Sequence, residues 1–141
     1  MIANDPFDLQ RFVSAQEGVF DQALAELRLG RKSSHWMWFI FPQIQGLGTS
    51  GNARLYALSS REEAAAYLQH PVLGPRLCQC VNAMLQLQGR TLRQILGTPD
   101  DLKFRSCMTL FAHATEDNLS FLDALAKYCG SEFDAATLAR L

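Results

Sequence analysis

No stretch of this 141-residue chain approaches the roughly 18 to 20 consecutive apolar residues that a membrane-spanning helix needs. Neither sign of charge dominates: 13 lysines and arginines stand against 14 aspartates and glutamates, a formal net charge of −1. A protein that holds DNA or RNA mainly through its phosphates carries a basic surplus, so no nucleic-acid partner is expected. The first ten residues contain Asp5, Pro6 and Asp8 where a secretory signal would place positive charge and an apolar stretch. The expected compartment is therefore the cytoplasm, with no membrane association. The cysteines Cys78, Cys80, Cys107 and Cys129 do not form paired C-x-x-C units, and no H-E-x-x-H or P-loop pattern occurs. No metal site and no cofactor is expected on that basis. Cys78 and Cys80 on one helix would point about 200° apart, so they cannot share a disulfide, and all four thiols read as buried or half-buried small hydrophobes.

Period-two alternation is also missing over any useful length, which removes the main signal for strands. What is present is a hydrophobic fraction of 48% and a charged fraction of 19%, the profile of a folded globular chain. Between Asp8 and Leu29, Leu9, Phe12, Val13, Val19, Phe20, Ala23, Leu24 and Leu27 fall in an arc of about 140° at helical spacing. This predicts one long amphipathic helix, started by Asp5 or Asp8 and stopped at Gly30. The following run, Ser33 to Pro42, is too short for a membrane and too apolar for a surface loop. It predicts a buried short helix capped by a serine and ended by Pro42. Further helices are expected from Asn52 to Leu58, after Ser60 with Glu63 in capping-box spacing, and after Gly74-Pro75. Three more are expected after Thr91 with Gln94, from Asp100 to about Ala114, and from Asn118 to Tyr128, with Asp134 to Arg140 last. The expected architecture is an all-α, irregular bundle of about seven to eight helices with little or no β structure, residues 1–141 forming a single domain and residues 131–141 a small C-terminal cap on it.

Gly46-Leu47-Gly48-Thr49-Ser50-Gly51 matches G-x-G-x-x-G, but no strand precedes it and no acid follows at the required distance. It reads as a tight loop. The stretch Gly30-Arg31-Lys32-Ser33-Ser34-His35-Trp36 is richer. Cations, hydroxyls and free amides of a helix start converge there, which is the chemistry of an anion site, and an indole adds a stacking face. Gln16 lies inside the apolar arc of the first helix and so needs partners, either a backbone group or a polar pocket that Gln43 would also face. On the helix from Asp100, the residues Arg105, Ser106, Thr109 and His113 share one strip, either solvated or one wall of a site. Asp101 and Arg105 have the spacing of an ion pair, and Lys103 at the edge of the apolar arc must snorkel or meet an acid. His35 and His113 are the weak candidates for proton transfer.

The segment from Gly30 to Gln43 resembles a family of small, mainly helical bacterial proteins, domain of unknown function 1810 (DUF1810), whose members are sometimes mislabelled calpastatin. The similarity extends through Asp5-Pro6-Phe7-Asp8-Leu9, Ala15-Gln16, Gly46-Leu47-Gly48 and His70-Pro71-Val72-Leu73-Gly74. It continues through Asp100-Asp101-Leu102-Lys103, Arg105-Ser106, Met108-Thr109-Leu110-Phe111 and Thr137-Leu138, spanning residues 5–141. The resemblance implies a single helical domain and supplies no catalytic residue.

Two functions from different classes follow from these residues. One is a pocket for a small anionic, nucleotide-like ligand, built from Gln16, Arg31, Lys32, Ser34, His35, Trp36, Gln43, Lys103, Arg105 and Ser106, with or without a reaction. The other is an interaction or homodimerisation module in which the run from Trp36 to Phe41 anchors an interface.

Overall fold

The carboxylate of Asp5 accepts the amides of Leu9 and Gln10 at 2.8 and 3.0 Å and so starts helix α1 (Gln10–Gln16) in the computed structural model, which describes residues 4–141. The expected long first helix is two helices. The chain leaves helical geometry at Glu17, Gly18 takes φ +71°, and α2 (Phe20–Leu29) begins a turn later. Glycine occupies the left-handed region without a Cβ clash, so the break is cheap. Both halves still bury the same arc: Phe12, Phe20, Ala23, Leu24 and Leu27 are all in the core. Gly30 then ends α2 at φ +77°, as its position predicts.

The run after α2 is buried at Trp36, Met37 and Ile40 to Pro42, while Trp38 and Phe39 are half-buried and Ser33 and His35 exposed. Its helix is the single turn α3 (Met37–Ile40), entered through Trp36 without a side-chain cap, so neither serine does the capping. Ser50 caps α4 (Gly51–Leu55) through the amide of Ala53, which explains the second half of the glycine-rich loop. Among the described residues the β structure is one isolated parallel bridge, Ile44 to Leu58. Ser60 caps α5 (Arg61–Gln69), but Glu63 reaches back to Ser59 and to Arg11 rather than completing the box. His70 Nδ1 accepts the amides of Val72 and Leu73 at 3.1 and 3.3 Å at the start of α6 (Leu73–Gln86). The reciprocal Thr91–Gln94 box caps α7 (Leu92–Leu96). Then come α8 (Asp100–Ala112), α9 (Leu119–Tyr128) and α10 (Ala135–Leu138).

The described residues thus form ten helices in an all-α fold. The count exceeds seven or eight because every expected segment carries a helix, down to single turns such as α3 and α10, and the first is broken in two. Helix α8 runs through the middle, packed against α5, α7, α9 and α10. Aromatic rings thread the core: Phe12 meets Tyr67 edge-on at 5.1 Å, Tyr67 meets Phe111 at 5.5 Å, and Phe41 meets Phe104 edge-on at 5.1 Å. Helix α9 closes the C-terminal end of α6, where Tyr128 donates to the Met84 carbonyl at 2.5 Å and Lys127 to those of Leu85 and Leu87. The Met84 carbonyl also accepts the Leu87 amide at 3.4 Å, and the donors from α9 supply the further partners that carbonyls at a helix end need.

The thiols divide. Cys80 and Cys107 are buried and Cys129 is half-buried, but Cys78 is exposed, because it lies on the face of α6 opposite Cys80.

Candidate functional site

Past Gly30 the chain folds back over the last turn of α2, with the Arg31 amide donating to the Glu26 carbonyl at 3.0 Å. This return brings the next six residues over the side chain of Glu26. The amides of Ser33 and Ser34 donate to Oε1 at 2.8 and 3.1 Å, the Ser34 hydroxyl to Oε2 at 2.5 Å, the Trp36 indole to Oε1 at 2.9 Å and Gln22 to Oε2 at 3.1 Å. Burial alone would raise this carboxyl. The hydrogen bonds from Ser34, Ser33, Trp36 and Gln22 outweigh that effect and hold it at about 2. The loop therefore is an anion site, and the anion is the chain's own carboxylate. Ser34 and Trp36 have their donors committed to it, and Trp36 is fully buried.

Lys32 leaves the same loop in another direction. Its amide donates to the Ile95 carbonyl at 2.7 Å, and its ammonium group lies 3.1 Å from Asp100 Oδ2 and 5.1 Å from the Trp36 ring. Lys103 approaches the other oxygen of the same carboxylate at 3.3 Å and lies 5.0 Å from the Trp38 ring. The edge-of-arc lysine thus meets an acid, one turn earlier on its own helix. The three charged side chains are 10%, 18% and 27% exposed for Lys32, Asp100 and Lys103. Two cations share one anion in a half-buried setting, bordered by two indoles. Arg31 and His35 stand exposed on the adjoining loop, and Gln43 shares with Trp38 and Tyr56 the wall of a cavity of about 20 Å³, room for one water.

The remaining predicted residues lie elsewhere. Gln16 is buried, donates to the Phe39 carbonyl at 2.8 Å and to Tyr67 at 3.2 Å, and accepts from Arg76 at 3.2 Å, so its amide is used inside the core. Burial pushes the Tyr67 phenol far up, against the smaller lowering effect of that amide. The polar strip on α8 is covered at Ser106 and Thr109, while Arg105 and His113 are half-buried: Ser106 donates to Asp134 at 3.0 Å and Thr109 accepts the Asp134 amide at 2.9 Å, which docks the C-terminal segment. His113 donates from Nδ1 to the Thr109 carbonyl at 2.7 Å and meets the Phe133 ring edge-on at 4.7 Å. Arg105 does not pair with Asp101. Its guanidinium lies 3.7 Å from Glu132 instead.

Within the run from Trp36 to Phe41, Trp36, Met37, Ile40 and Phe41 are core residues, while Trp38 and Phe39 are half-buried. Among the described residues, no group of three or more His, Cys, Asp and Glu side chains is placed to hold a metal, and no helix is long and apolar enough to cross a membrane.

The family described as "Protein of unknown function (DUF1810)" matches residues 6–141. The chain belongs to the DUF1810 family. Its fold is similar to the crystal structure of the conserved hypothetical protein Rv1873 from Mycobacterium tuberculosis, at 56% identity and a TM-score of 0.96, covering 97% of this chain and 98% of that one. No curated protein matches it.

Sequence reasoning about this DUF1810 chain missed Glu26 and Asp100, the two acids that organise the site. A signal existed for the first. A carboxylate in the last turn of a helix opposes the macrodipole there, so Glu26 needed outside donors, and the loop after Gly30 was the nearest supply.

Proposed function

We propose that the protein binds a small anionic, nucleotide-like ligand at the Lys32–Asp100–Lys103 cluster. The observation that supports this reading is the sharing of one carboxylate by two ammonium groups. Each cation interacts with an anion at this range with about 5 kcal/mol at an effective dielectric near 20, and the cluster retains one positive charge for which the protein supplies no second acid among these contacts. A phosphate or carboxylate would complete the balance. The half-buried Trp38 offers a ring face beside it, and exposed Arg31 and His35 add donors at its margin. Gln16, Ser34 and Ser106 act in this reading through the scaffold, as their hydrogen bonds hold the core, the loop and the C-terminal cap.

The test is a thermal-shift screen against nucleotides, ADP-ribose derivatives, sugar phosphates and dicarboxylates, followed by titration calorimetry. A ligand at 100 times its Kd adds about 2.7 kcal/mol to the folded state. A shift of several degrees that Lys103→Ala and Lys32→Met both remove is the expected result. A flat response across the panel, or a shift that both variants retain, overturns the reading.

A further inference from the structure

Among the described residues one buried side-chain nitrogen or oxygen has no hydrogen-bond partner within the protein, Nε of Arg105. Arg11 shows what a fully engaged arginine looks like here. Its Nε donates to the Leu55 carbonyl at 2.8 Å, Nη1 to those of Phe7 and Asp8 at 2.6 and 2.8 Å, and Nη2 to the Ala57 carbonyl at 2.8 Å and Glu63 at 2.9 Å. Arg105 has only the 3.7 Å approach of Glu132, a residue whose side chain is 77% exposed. Such a pair is worth about 0 to 1 kcal/mol, too little to account for holding a guanidinium against the protein with one donor unused.

Arg105 lines a cleft of about 250 Å³ between α7, α8 and α9. Leu92, Leu102 and the Tyr128 ring give it apolar walls, while Arg93 and Asp101 add one cation and one anion. The volume lies just under the usual range of ligand pockets, so an occupant must be small. We infer that this cleft binds a small monocarboxylate with an apolar body, whose carboxylate takes the Nε–Nη edge of Arg105. A planar carboxylate matches that edge with two parallel hydrogen bonds, and the three apolar walls receive the hydrocarbon. Asp101 repels a second negative charge, which disfavours a phosphate dianion. Nε is covered in the structure, so binding requires the guanidinium to turn and present its edge, giving up the 3.7 Å contact with Glu132. The cleft is distinct from the Lys32–Asp100–Lys103 cluster and does not depend on it.

The experiment follows the Arg105 side-chain Nε–H resonance by NMR while benzoate is titrated into the full chain, with acetate and inorganic phosphate in parallel. Benzoate should move this resonance saturably and slow its exchange with water, and should bind more tightly than acetate or phosphate. Arg105→Lys, which keeps the charge but loses the two-pronged edge, should weaken benzoate by about tenfold. Glu132→Gln should tighten it by about twofold, because the competing pair is gone. Lys103→Ala should leave it unchanged, which separates this site from the lysine cluster. No saturable change with benzoate in the unmodified protein overturns the inference, as does phosphate binding equal to benzoate. The titration of the unmodified protein needs no variant, so a poorly folding Arg105→Lys leaves the test intact.

Discussion

The indole N–H of Trp36 donates to the Glu26 carboxylate at 2.9 Å, joining the helix that ends at Leu29 to the loop that follows it. Both groups are buried, so each satisfies the other where water does not reach. The same carboxylate orders Ser33 and Ser34, and with them the backbone from which Lys32 extends to Asp100.

Glu26 should therefore matter to stability in a pH-dependent way. Its carboxyl lies at about 2 in the folded protein against 4.5 as the ordinary value, so the folded state binds its proton less readily than the unfolded chain does. The contribution, about 3 kcal/mol, is complete above roughly pH 4.5 and declines as pH falls towards 2. Glu26→Gln should cost about 2 kcal/mol at pH 7 and flatten this part of the acid limb. Urea unfolding at several pH values reads both effects; parallel acid limbs in the two proteins would refute the assignment.

Gly74 permits the approach of α6 to the end of α5. A Cβ there would lie 2.1 Å from the Leu68 carbonyl oxygen and 2.9 Å from its carbon, both backbone atoms that cannot turn aside. Gly74→Ala should cost at least about 3 kcal/mol despite alanine's better helix propensity. A denaturation midpoint at or above that of the unmodified protein would contradict the packing described.

Asp134 fastens the C-terminal segment to α8 by accepting from Ser106 at 3.0 Å and from the Thr137 amide and hydroxyl at 3.1 and 2.5 Å. Asp134→Ala should cost about 1 to 2 kcal/mol and act locally. Hydrogen exchange should quicken at Thr137 and Leu138 while the amides of α8 keep their protection. Equal acceleration in both segments would mean that the cap and the core unfold as one unit.

The thiols should react in order of exposure. Cys78 is open to solvent, although partial burial and then the nearby Asp117 raise its thiol, so its alkylation at pH 8 should be slow for an exposed cysteine. Cys129, pushed by burial to about 11, should follow. Cys80, pushed to about 12, and Cys107, raised well above the ordinary value by burial, should label only after unfolding. Mass spectrometry of timed alkylation checks the sequence of events, and early modification of Cys107 would show that the core opens more easily than its packing implies.

Helical class, most element positions and several caps follow from the sequence because they are set by interactions across three or four residues. The spacing of Leu77, Cys80, Val81 and Met84, the Thr91–Gln94 box and the stop at Gly30 each carry their outcome within one turn of chain. The amides and hydroxyl of residues 33–34 do meet a carboxylate, but the indole read as a stacking face donates to that carboxylate as well. Other features depended on segments that meet only after folding. The break at Gly18 leaves the apolar arc unchanged, so periodicity could not reveal it. The anion at the loop is Glu26, Lys32 and Lys103 converge on Asp100, and Arg105 is left beside Glu132 rather than Asp101. Residue types state which partners a charge or a buried amide requires; which partner is within reach is decided by how the helices pack, because hydrogen bonds and ion pairs act over about 3 to 4 Å.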